Sequence, residues 1–97
     1  MTGTSRTTEG LDARRRKALY HSWHRGMREM DLLLGRFADA EIGDLPDADL
    51  SDFEQLMEVP DQQLYRWLSG QEPVAANHDT GLFRRIRDFH TGTQDQI

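Results

Sequence analysis

With 97 residues, 36% of them hydrophobic, the chain has room for one small domain and one modest core, and too little apolar material to wall an enclosed cofactor cavity as well. It has no cysteine, which excludes disulfides, thiolate metal sites, iron–sulfur clusters and a cysteine nucleophile. The net charge of −5 is uneven: +4 over residues 1–38, −9 over 39–61 and zero over 62–97, a pattern unlike a uniformly basic nucleic-acid binder and open to two readings, a solvated acidic face or a dipolar docking surface.

Residues 1–10 (MTGTSRTTEG) are polar apart from the first and read as a disordered tail. No apolar run nears the roughly 20 residues of a membrane span, and the opening residues lack the apolar stretch of a secretory leader. From Leu11 a helical stripe begins. Leu11, Ala18, Leu19 and Ser22/Trp23 recur at three- and four-residue steps and predict a first helix over 11–24. Arg14, Arg15, Arg16 and Lys17 occupy its other faces, either as a solvated surface or as steering charge for an acidic partner. Gly26 breaks the period. Met27, Met30, Leu33/Leu34 and Phe37 predict a second helix over 26–40, stopped at Ile42-Gly43-Asp44.

A third helix is predicted over 47–58, with Leu50, Phe53 and Leu56/Met57 inward. Asp47, Asp49 and Asp52 suit its positive N-terminal end, and Leu45 and Leu50 are spaced as a hydrophobic staple if Pro46 takes the cap. Ser51 and Glu54 also match a capping box, which would start the helix later. Val59-Pro60 ends it. Asp61 is the expected N-cap of a fourth helix over 62–69, with Leu64 and Trp67/Leu68 inward and Gly70 at its C-terminal end. After a loop around Pro73, Asn77 or Asp79 is expected to cap a fifth helix over 78–90, striped by Leu82, Phe83, Ile86 and Phe89 with Arg84, Arg85 and Arg87 outward. No segment alternates with period two. The predicted fold class is all-α, a small five-helix bundle over 11–90 with a frayed end at 91–97.

Chemistry-bearing patterns are sparse. His21 and His24 share a helix face, but the next carboxylate, Glu29, lies beyond Gly26, so both read as solvated or packing histidines rather than metal ligands. His78 and His90 fall near helix ends. No nucleophile elbow, phosphate loop or metalloprotease motif occurs, and neither catalysis nor a metal is expected. A helical DNA-binding module is disfavoured because the third helix carries five acids and no base.

The informative segment is Arg25-Gly26-Met27-Arg28-Glu29-Met30-Asp31. Glycine between two strongly helical stretches costs about 0.5–1 kcal/mol relative to alanine and so needs a reason. Either Gly26 turns the chain, or its missing Cβ lets a partner backbone come close, with Arg25 as a fork of donors and Glu29, four residues on, paired to hold it. RGMREMD resembles the RGxxE signature of the SdhE family of FAD assembly factors, related to the mitochondrial succinate dehydrogenase assembly factor. The wider segments 16–31 (RKALYHSWHRGMREMD) and 56–68 (LMEVPDQQLYRWL) resemble that family's opening helix and its second recurring block, so the resemblance spans about residues 14–90. Pro46 and Pro60 depart from it, standing at helix entrances where other members more often have polar residues.

The resemblance implies a helper without catalytic activity that binds the flavoprotein subunit of succinate dehydrogenase, and in some bacteria that of fumarate reductase. It would promote covalent attachment of FAD to a histidine of that subunit and hold no cofactor of its own. Arg25, Gly26 and Glu29 match the signature positions, and His24 and Arg28 flank them as further partner-contacting residues. A monomer in the bacterial cytoplasm, with no nucleic-acid partner, is expected. The alternative readings are an antitoxin-like interaction module and a small DNA-binding domain.

Overall fold

The computed structural model describes residues 10–95, with side chains to Phe89. Helix α1 (Ala13–Ser22) begins where Asp12 accepts a hydrogen bond from the Arg15 N–H at 2.8 Å. Helix α2 (Arg28–Glu41) runs into a 3-10 turn at Ile42–Asp44. Helices α3 (Asp47–Met57) and α4 (Asp61–Leu68) follow, then a 3-10 turn at Ala76–His78 and helix α5 (Gly81–Asp95). Among the described residues there is no strand, and the five helices fall where periodicity puts them. The tail expected at 1–10 lies outside the described residues except for Gly10, as do 96–97 of the expected frayed end. Helix α5 itself continues past 90 to Asp95.

The layout centres on α2, which packs against α1, α4 and α5, while α3 closes the opposite side against α1 and α5. Met30, Leu34, Phe37 and Ala38 give α2 its buried stripe and meet Leu19, Leu50, Phe53, Leu64, Phe83 and Ile86 in one core. Phe37 lies 5.7 Å, centroid to centroid, from Phe89 in an edge-to-face pair, and 6.1 Å from Phe53. Ser22 is the one buried polar side chain among the described residues; its hydroxyl donates to the Leu19 carbonyl at 2.6 Å.

Helix starts show where local sequence rules lose to tertiary ones. Pro46 is the N-cap of α3, with Leu45 and Leu50 both buried at the staple positions. The capping box expected of Ser51 and Glu54 does not form. Both side chains instead accept hydrogen bonds from Arg14 across the α1–α3 interface, at 2.7 Å to Ser51 Oγ and 2.8 and 2.9 Å to the Glu54 carboxylate. Thr80, rather than Asn77 or Asp79, caps α5, accepting the Phe83 N–H at 3.0 Å. Trp67 is half-buried against His78 rather than a full core residue.

The basic run of α1 is largely exposed, yet three of its four members, Arg14, Arg15 and Arg16, have partners within the chain. Arg14 holds α3, and Arg15 reaches the carbonyls of Ile42 and Leu45 and the Asp12 carboxylate. Arg16 donates to the Leu11 carbonyl. On α5, Arg85 bridges Glu41 and Asp49. The acidic stretch 39–61 is thus largely met from within: five of its nine acids, Glu41, Asp47, Asp49, Glu54 and Asp61, pair with arginines.

Gly35, unremarked in the sequence pattern, is a packing requirement. The Trp23 indole lies flat over it, and a Cβ there would sit 2.4 Å from two ring carbons. The indole N–H donates to Asp39 at 3.3 Å, one turn further along α2. Gly35→Ala must push the ring away, an overpacking cost of about 1–3 kcal/mol. A lowered Tm together with a red-shifted tryptophan emission is the expected outcome; unchanged values of both would refute the contact.

Acid should weaken the α1–α3 contact. The hydrogen bond from Arg14 holds the Glu54 carboxyl below its ordinary 4.5, against the opposing pull of burial. A carboxylate whose folded value is depressed adds stability above its ordinary pKa and loses it as pH falls through the folded value. Thermal melts should therefore fall below pH 4.5, and Glu54→Gln should be less stable at neutral pH yet lose less on acidification.

Candidate protein-interaction site

Residues 23–27 connect α1 to α2, and the signature lies on this bend. The Trp23 and His24 N–H groups donate back to the carbonyls of Tyr20 and His21, so α1 ends in a tight turn. Gly26 then takes φ +90°, the left-handed region that L side chains rarely adopt. Met27 follows in extended conformation and N-caps α2 through its carbonyl, which accepts the Asp31 N–H at 3.0 Å. The Asp31 carboxylate in turn accepts the Arg25 N–H at 2.8 Å, bracing the bend from inside.

The Arg25 side chain turns away from solvent and is only 9% exposed. Its guanidinium enters the corner between α3 and α4. Nε donates to Asp61 at 2.7 Å, Nη1 to the Met57 carbonyl at 2.6 Å and Nη2 to the Val59 carbonyl at 2.6 Å. The Met57 carbonyl is at the C-terminal end of α3, where backbone acceptors lack helical partners, and the Val59 carbonyl is in the turn that follows. The carboxylate is on the first residue of α4, where the helix dipole favours negative charge. One side chain therefore satisfies the end of one helix and the start of the next.

This corrects two expectations. In the chain by itself Arg25 is not held out as a free fork: its side chain is turned inward, with Nε, Nη1 and Nη2 each on an internal acceptor. Glu29 does not orient Arg25; Asp61 and Asp31 do, while Glu29 is exposed. Asp61 in turn is not the N-cap of α4, a place taken by Pro60. Asp61 and Arg25 are 36 residues apart, and nothing local in the sequence signals the pairing.

The other signature residues do meet at the surface. His24, Gly26, Arg28 and Glu29 are exposed along the bend and the first turn of α2. A Cβ at Gly26 would point into open space, with nothing within 4 Å. Gly26 thus fits both sequence readings: positive φ makes the turn, and the outer side is clear for a partner. His24 stacks on Tyr20 at 3.9 Å between centroids and 18° between planes, and its Nδ1 is 2.7 Å from the Tyr20 carbonyl. A carbonyl only accepts, so Nδ1 carries the proton there. Tyr20 is 60% exposed. Beside the stack lies a shallow hollow of about 260 Å³ bordered by His21, His24, Arg25, Pro60 and Asp61. No group of three metal-ligating side chains comes together among the described residues, and no helix there is long and apolar enough to cross a membrane. The arrangement is a stiff, exposed bend suited to protein contact.

Comparison with known proteins points the same way. A family model described as flavinator of succinate dehydrogenase matches residues 16–90. The chain is 36% identical over 78 residues to the FAD assembly factor SdhE of Acetobacter pasteurianus, covering 80% of this chain and 72% of that protein. It is 35% identical over 71 residues to the mitochondrial succinate dehydrogenase assembly factor 2 of Mycosarcoma maydis, covering 73% of this chain and 30% of the relative. For the Dictyostelium discoideum protein of the same name the identity is 34% over 77 residues, covering 79% and 55%. The chain thus spans about half or less of these two mitochondrial relatives. No solved structure matches it significantly.

Removing one partner of a largely buried, hydrogen-bonded ion pair costs about 3–5 kcal/mol. Arg25→Ala should therefore lower the Tm by ten degrees or more on a scale of roughly 4–8 °C per kcal/mol, and Asp61→Asn by less, since the amide still accepts. A double-mutant cycle should return a coupling of about 1–3 kcal/mol between them. An Arg25→Ala variant as stable as wild type would return Arg25 to the partner surface.

Proposed function

The chain belongs to the family of flavinators of succinate dehydrogenase, and on that premise we propose that it binds the flavoprotein subunit of succinate dehydrogenase and promotes covalent attachment of FAD to a histidine of that subunit. The observation that carries this reading is the bend itself: exposed His24, Gly26, Arg28 and Glu29 on a backbone braced from behind by Arg25. Such a surface can meet a partner without first being ordered, which removes a cost of association. The chain performs no bond-making. Binding at the bend favours the client conformation in which histidine and flavin are aligned, so that interface energy becomes a shift in the client's population and a proximity effect. FAD belongs to the client, and the helper acts as a monomer in the bacterial cytoplasm. The flavoprotein of fumarate reductase is the second client in this reading.

Gly26 supplies the test, provided strain and bulk are separated. Any L residue at φ +90° is strained by about 1–2 kcal/mol, so Gly26→Ala and Gly26→Trp share that loss and differ in what they place in the open space. Covalent flavin on the succinate dehydrogenase flavoprotein is read by in-gel fluorescence in a strain deleted for the helper. Wild type should restore the band, Gly26→Ala should restore most of it, and Gly26→Trp should not, with both variants equally folded. A band that is unchanged by deletion would overturn the reading, and equal activity of the two variants would overturn the close approach.

A further inference from the structure

Ten arginines lie among the described residues. Eight of them pair with a carboxylate or donate to a backbone carbonyl of the chain itself. Arg28 and Arg36 have neither, and both are exposed on α2. They are eight residues apart, with Leu32 midway, so all three share the outward side of this helix. The acid best placed to take Arg36, Asp39, has its carboxylate on the Trp23 indole N–H instead. Glu29 is adjacent to Arg28 and about two turns from Arg36, and pairs with neither. Trp23, half-buried over Gly35, borders the stripe.

In a chain of net charge −5, Arg28, Arg36 and the lone Lys17 on α1 are the described Lys and Arg side chains without a hydrogen-bonded or ion-paired acceptor, and only on α2 do two of them stand on one helix face. Two guanidinium groups flanking a half-buried leucine, beside a tryptophan, also have the composition of an interface centre rather than of ordinary surface. We propose that the outward face of α2, from Arg28 to Arg36, is a docking strip for an acidic segment of the partner, and that Arg36 extends the contact two turns beyond the signature bend. The proposal rests on the function argued above and names the chemistry of its occupant: a stretch of the flavoprotein client with carboxylates spaced to meet guanidiniums about 12 Å apart along a helix. The strip lies on the helix that the bend leads into, so one partner can cover both.

The test measures binding of the purified flavoprotein subunit to the full chain at low and high salt. Arg36→Glu should weaken binding by about tenfold or more at low salt and flatten its salt dependence. Lys17→Glu on α1, an equal change of net charge away from the strip, should have little effect. Arg36 has no internal partner to lose, so the variant should keep the wild-type Tm. In a second arm, Arg36→Lys allows a zero-length carbodiimide cross-link, which should join this position to Asp or Glu of the client. Wild-type binding with Arg36→Glu unaffected would overturn the strip and leave the proposed function standing. Failure of wild type to bind would overturn both. Cross-links from position 36 to a second copy of this chain would overturn the acidic client segment as occupant.

Discussion

The structure depends on one guanidinium. Arg25 stands on the bend between α1 and α2, yet its side chain completes the corner between α3 and α4. It joins two parts of the chain separated by more than thirty residues at the place where each changes direction. A helix corner leaves carbonyls at one end and a dipole at the other, and a small domain has few spare side chains to satisfy them. Placing a planar fork of donors there meets both needs and leaves the bend's outer side clear. The signature therefore divides into an inner residue that holds the shape and outer residues that present it.

The same economy governs charge. The basic first third and the acidic middle suggest a dipolar molecule, but in three dimensions they face one another. Arg14 and Arg15 lie on α3 and the turn before it, and Arg85 spans α2 and α3. Each exposed pair contributes little alone, about 0–1 kcal/mol. Their greater effect is to leave few cations unmatched, so that those on the outward face of α2 stand out.

Helix number, order and inward stripes were legible because periodicity is local and the core follows it. Leu45 and Leu50 at the entrance of α3 and Gly70 at φ +83° after α4 were readable for the same reason. What failed were roles that side chains can fill in two ways. Ser51, Glu54 and Asp61 each satisfy a capping rule, and each is taken by an arginine from a distant part of the chain, Arg14 on α1 or Arg25 on the bend. A charge-assisted hydrogen bond from a guanidinium is stronger than the bond from a neutral backbone N–H that it replaces. Arg25 and Glu29 were read as a pair because they are four apart, a spacing that matters only within a helix; the bend puts Arg25 outside one. Gly35 carried no signal, since a glycine inside a helix reads as a weakness until the indole above it is seen.

That indole also determines how α1 meets α2. Helices commonly fix their relative position by fitting ridges of side chains into grooves. Here a flat ring lies on a bare stretch of backbone, and a flat face on a smooth one offers no notch to stop sliding along the helix. The Trp23 N–H to Asp39 supplies a directional stop there, in addition to the packing of Ala18 and Leu19 in the shared core and the Asp31 brace of the bend. A chain that kept the glycine and lost the acceptor would keep the flat contact but lose its directional stop, so this seam would loosen along the helix rather than open.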